Sequence, residues 1–140
     1  MSTRPSLRSP RAFTLIELIA VIVVLAILAG IAIPKYFDYA AQAKVSSVRG
    51  TLGGVRSAIA NFTSNSAVNG AVAYPTLVQM QTLGTVMQEA IPQNPYNNDA
   101  TIAAGVWAAT PPTSGTNGWN YDAAAGRFWA NSTSVGENLW

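Results

Sequence analysis

Residues 13–33 form an almost unbroken apolar run, and only Thr14 and Glu17 within it are clearly polar. Wound as a helix, this run would be about 31 Å long, close to the ~30 Å hydrocarbon thickness of a bilayer. A segment of that length and composition cannot be an ordinary surface helix. It must lie in lipid or be covered by other protein. Glu17 sharpens the constraint, because a lone carboxylate in hydrocarbon costs several kcal/mol unless something pairs with it. Nothing within the run offers to pair with it, so the sequence expects a positive group from another molecule. That expectation leads to assembly rather than to catalysis.

Charge is scarce and unevenly placed. Only 10% of the residues are charged, well below the ~25% of a typical soluble domain. Arg4, Arg8 and Arg11 precede the apolar run. From Phe13 onward, five basic residues (Lys35, Lys44, Arg49, Arg56, Arg127) face six acidic ones (Glu17, Asp38, Glu89, Asp99, Asp122, Glu137). The body is nearly neutral, so the pI near 9.2 gives no reason to expect a nucleic-acid partner. The positive-inside rule puts Met1–Ala12 in the cytoplasm and the chain from Lys35 on the far side. Pro5 and Pro10, with serines between them, mark residues 1–12 as extended.

Three readings fit the amino-terminal segment. A secretory signal peptide would have an apolar region of ~7–15 residues ending at small residues, and Ala26, Ala29 and Ala32 offer such sites. A plain signal anchor would leave Glu17 without a purpose. The third reading rests on Ala-Phe-Thr-Leu-Ile-Glu after a short basic leader. This stretch resembles the cleavage and methylation signal of type IV prepilins and type II secretion pseudopilins. The resemblance implies cutting between Ala12 and Phe13 by a prepilin peptidase, methylation of the new Phe13 amine, and an inner-membrane assembly platform as partner. It also makes Glu17 the fifth residue of the mature chain, where the family carries a glutamate, and Pro34 falls where many members carry a proline. Ala12 departs from the usual glycine before the cut, but alanine is small enough for cleavage to be expected. The family supplies the missing cation: the freed amine of Phe13 on one subunit meets Glu17 of a neighbour, and that charge-assisted pair also fixes axial register. For the unassembled subunit the sequence leaves a second fate open, with Glu17 snorkelling to the headgroups. Gly30 and Pro34 weaken the helix near its outer end, which implies a kink there in an isolated subunit, while the resemblance implies local melting or stretching in a filament.

The helix continues beyond the run with a different pattern. Val45, Val48, Leu52, Val55, Ile59 and Phe62 recur at spacings of 3 and 4, an amphipathic stripe expected to pack on a sheet. Gly50, Gly53 and Gly54 each cost about 1 kcal/mol of helix stability relative to alanine, and they permit close approach of another element. The turn-forming residues from Asn61 to Gly70 are expected to end the helix, near residue 64.

The remainder reads as a small α+β body with an antiparallel sheet. Leu77–Leu83 is a candidate short helix after the extended Tyr74-Pro75-Thr76. Ile91–Asn98 is a loop by composition. Thr101–Ala109 is a strand candidate, and Trp119–Asp122 with Arg127–Ala130 forms a hairpin turning at Gly126. The order of spine helix, Tyr-Pro-Thr, Pro-Gln-Asn-Pro-Tyr and Gly-Trp-Asn-Tyr-Asp also resembles the pilin family. It looks most like the major pseudopilin of type II secretion systems. The implied organisation is leader 1–12, membrane or filament-core helix 13–34, amphipathic spine 35–64 and globular body 65–140. That subfamily often binds calcium near its sheet, which makes Asp99 and Asp122 candidate ligands through their oxygens. The alternative is that both are solvated turn residues.

Enzymatic chemistry finds little purchase. With no histidine and no cysteine, most nucleophile–base pairs and transition-metal sites are excluded, and no disulfide is available. The carboxylates are scattered, and no phosphate-binding glycine motif is present. Trp107, Trp119, Trp129 and Trp140 could stack on a sugar, but core packing explains them more economically. No catalytic residue and no cofactor beyond calcium is expected. The leading expectation is a structural filament subunit, pseudopilin first and pilus pilin second. A membrane-anchored, ligand-binding module that never polymerises is the alternative outside that class.

Overall fold

The computed structural model describes residues 13–140. Its elements are a helix α1 (Leu15–Val68), a short helix α2 (Leu77–Gln81), strands β1 (Ile102–Ala104), β2 (Trp119–Asp122) and β3 (Arg127–Ala130), and a 3₁₀ turn (Glu137–Leu139). The chain divides into two compact units, one up to Ala40 and one from Ala41 to Trp140, and α1 contributes to both.

The second unit is built on the stripe seen in the sequence. Val48, Leu52, Val55 and Ile59 are buried on one face of α1, while Val45 and Phe62 are half-buried at its ends. They pack with Met80, Ile91 and Ile102 and with Trp119, Tyr121, Phe128 and Ala130 of the sheet. Burying each such aliphatic side chain contributes about 1.5–3 kcal/mol, so this seam is the main source of cohesion in the body. Helix α1 runs to Val68, beyond the expected end near residue 64. Asn61, Ser64 and Asn65 lie on exposed or half-exposed turns where polar residues are tolerated. The stop comes at Gly70, whose φ of 95° is open to glycine and strained for other residues. Helix α2 is shorter than expected and starts from a capping box. The Thr76 hydroxyl accepts from Gln79 N–H, and the Gln79 side chain accepts from Thr76 N–H at 2.8 Å.

The hairpin forms over the expected residues. Trp119 pairs with Ala130 and Tyr121 with Phe128, and Gly126 sits at the turn with φ 65°. The first strand corrects the antiparallel sheet expected from sequence. It shrinks to Ile102–Ala104 and runs parallel to β2, so the sheet is mixed, in the order β1-β2-β3. Parallel pairing needs a long crossover, and the loop containing residues 110–118 supplies it.

Buried asparagines hold the loops that cross this sheet. Asn94 donates to Gly118 O at 3.0 Å and to Ser132 Oγ at 2.9 Å, and accepts from Tyr96 N–H. Asn131 Oδ1 accepts from Ser114 N–H and from the Asn120 side chain. Asn138 donates to Pro111 O. In a chain without cysteine, this satisfied polar network pins the irregular segments, and removing a member would strand buried donors. Arg56 reaches from α1 to the free edge of β3, donating to Phe128 O and to Trp140 O.

Candidate assembly site

The first unit carries the residues that the sequence marks for assembly. Along Leu15–Ile33 every side chain is exposed; Ile22 and Leu25, for example, leave 54% and 57% of their surface uncovered. Apolar surface on all sides distinguishes this half of α1 from an amphipathic helix, which would have a polar face to offer water. Its length and composition suffice to cross a membrane. Gly30 and Pro34 both lie within the continuous helix, and nothing packs within 4 Å of the Cβ position at Gly30.

Phe13 is 84% exposed at the start of this half. One turn on, Glu17 is not unpartnered. Its Oε2 accepts from Thr14 N–H at 2.8 Å and from Thr14 Oγ–H at 2.8 Å, while Glu17 N–H donates to Thr14 Oγ at 3.3 Å. This is a capping box: Thr14 begins the helix and Glu17 reaches back to close it. The finding corrects the expectation that nothing within the run can pair with Glu17. The segment offers no cation, but it offers two hydrogen-bond donors at the helix start, where a carboxylate is also favoured by the helix dipole. Thr14 is the functional residue that sequence reasoning passed over, and the Thr-x-x-Glu spacing was the available signal. The box occupies only Oε2. Capping its own helix and meeting a neighbour's amine are therefore compatible roles for Glu17. Ala12, the residue before the expected cut, lies outside the described residues.

The two candidate calcium ligands stand at opposite ends of β2, each committed to backbone donors. Asp99 Oδ1 accepts from Thr101 N–H and Oγ–H and from Gly118 N–H, and the Thr101 hydroxyl is the main cause holding this carboxyl below its ordinary value of 3.8. Gly118 is required here, because the Asp99 carbonyl occupies the space a Cβ would need. Asp122 accepts from Trp107 N–H at 2.8 Å and from Ala124 and Ala125 N–H, and the Trp107 bond leads in lowering its acidity range. Among the described residues no cluster of three or more acidic side chains forms. Glu137, which the sequence did not single out, is fully buried. Burial pushes it up, but the Ser132 hydroxyl and the Val135 and Ser134 N–H groups outweigh that and hold it below 4.5. Tyr121, buried beside Asp122 and Tyr74, is pushed up to about 12. Of the four tryptophans, Trp119 and Trp129 are completely buried, while Trp107 and Trp140 are half-buried beneath Arg127 and Arg49.

Comparison with known proteins agrees with this geometry. Residues 7–33 match the prokaryotic N-terminal methylation motif. The chain is 35% identical over 92 residues to the type IV major fimbrial protein FimA of Dichelobacter nodosus, covering 64% of this chain and 57% of that protein. It is 32% identical over 107 residues to the type IV major pilin protein PilE1 of Neisseria gonorrhoeae, covering 76% of this chain and 46% of that one. It is also 41% identical over 58 residues to the fimbrial protein EcpC of Eikenella corrodens, covering 41% of this chain and 38% of the relative. The aligned parts thus span about half the length of these relatives. No solved structure matches. The chain carries a prepilin-type motif and, among the described residues, one long apolar amino-terminal helix and an α+β body. In this motif and in these relatives the chain is similar to type IV pilins.

Proposed function

We propose that this chain is a structural subunit of a type IV pilin-like filament, held together by its amino-terminal helices. One observation carries the reading. A methylation motif leads directly into a helix half whose side chains are apolar and uncovered all round, with a single capped carboxylate one turn from Phe13. Surface of that kind is stable only in lipid or against other such helices. After removal of residues 1–12, the Phe13 amine of one subunit pairs with the free side of Glu17 on the next. Before assembly the subunit sits once across the inner membrane, with its body on the far side. A prepilin peptidase trims it there, and an assembly platform takes it up. Its role is structural and not catalytic.

Two machines use such a subunit. The names of the relatives, all pilus or fimbrial proteins, favour a pilus. The cysteine-free body with its short sheet and Gly-Trp-Asn-Tyr-Asp hairpin favours a pseudopilus serving secretion. Deleting the gene distinguishes them: a pilus subunit costs the cell its surface fibres, and a pseudopilin leaves secreted proteins trapped in the periplasm. Mass spectrometry of the mature protein tests the shared part of the proposal. It should find a chain beginning at Phe13 and carrying one methyl group. An intact Met1, or a cut near Ala29–Ala32, would contradict it. Calcium at Asp99 or Asp122 is part of the pseudopilin reading, and melts with and without chelator should then differ.

A further inference from the structure

Just beyond Pro34 the helix changes character. Tyr36, Phe37 and Tyr39 follow Lys35, and they leave 70%, 66% and 64% of their surfaces uncovered. Tyr36 and Phe37 meet edge to face with centroids 6.0 Å apart. At ~100° per residue the three rings spread over roughly 160° of the helix circumference. One neighbouring helix covers a narrower stripe than that, whereas a surrounding medium touches all three. Tyrosine pairs an apolar ring with a polar tip, and such residues collect at the headgroup level where an apolar helix leaves a membrane.

We propose that Tyr36, Phe37 and Tyr39 form a collar that binds the headgroup–acyl boundary of the bilayer, and that its spacing from Glu17 fixes how deep the carboxylate sits. The inference rests on the membrane-spanning reading above. From Glu17 to Tyr36 the helix rises about 28 Å, and the hydrocarbon core is ~30 Å thick. With the rings at the far boundary of an upright helix, Glu17 comes within about 2 Å of the near one. The unassembled subunit therefore keeps its capped carboxylate at the wet edge, with Phe13 one turn further out. The desolvation cost of Glu17 is deferred until a neighbour's amine arrives. Lys35 adds a cation that reaches the same headgroups.

The mature full chain lacks cysteine, so single nitroxide labels can be placed without background. Labels at Ile16→Cys, Leu25→Cys and Asp38→Cys are to be read in phosphatidylethanolamine–phosphatidylglycerol vesicles by collision with oxygen and with a water-soluble nickel chelate. The collar requires positions 16 and 38 at the two headgroup boundaries and position 25 in hydrocarbon. It also requires that the triple change Tyr36→Ala, Phe37→Ala, Tyr39→Ala moves the label at 16 by about one helical turn, ~5 Å, while position 25 stays in hydrocarbon. An unchanged depth at position 16 in the triple variant, or position 38 in bulk water, overturns the collar and leaves the spanning helix intact. Position 25 in bulk water overturns the spanning reading and the collar together.

Discussion

The two halves of α1 share one secondary structure and face opposite demands. Around Ile22 and Leu25 the helix is apolar on every side and uncovered, whereas around Val48 and Leu52 it is apolar on one face and that face is sealed, with 0% and 2% exposed. The second half satisfies itself within the chain, against Trp119, Tyr121 and Phe128. The first half cannot, because an all-round apolar cylinder has no polar face to present to water. Helix-forming residues thus decide only that both halves are helical. The angular distribution of apolar side chains decides whether the helix completes a fold or awaits a lipid or a partner.

If that division is right, damage to one half should not spread to the other. Leu52→Ala opens a cavity in the seam and should destabilise the body by about 2–5 kcal/mol, read from denaturant titration of tryptophan fluorescence, with membrane insertion unchanged. Loss of insertion in that variant would show that the halves are not independent. Glu137→Ala takes the charged acceptor away from the N–H groups of Ser134 and Val135 and should cost about 1–3 kcal/mol. Glu137→Gln should recover part of this loss. A smaller, collective effect follows from acid. Asp99, Asp122 and Glu137 are all held below their ordinary values of 3.8, 3.8 and 4.5 in the folded body. Their stabilisation is complete above those values and is lost as pH falls below them through the folded pKa of each group. The melting temperature of the body should therefore be flat near neutrality and decline below about pH 4. A decline beginning near neutrality would contradict the assignment.

How far these halves were legible in the sequence differs for physical reasons. The bounds of the hairpin were readable to the residue, because Gly126 and the flanking aromatics supply turn and strands locally. The seam was readable because helical periodicity is a local property. The parallel pairing of β1 was not, since three residues carry no pairing preference and the partner is chosen by the crossover. The asparagine staples were equally hidden: a loop rich in Asn signals turns, but which side chains turn inward depends on where distant carbonyls fall. The capping box at Thr14 was legible and overlooked, because Glu17 read as a charge before it read as a hydrogen-bond acceptor.

That double role makes Glu17 the place to test the account. Glu17→Gln keeps an acceptor for Thr14 and removes the charge, whereas Thr14→Ala removes the cap and keeps the charge. Filament yield from correctly trimmed subunits, counted by electron microscopy, separates the two. The account requires filaments from Thr14→Ala and none from Glu17→Gln. Normal filaments from Glu17→Gln would show that pairing with the amine of an adjacent copy is not what holds the polymer together.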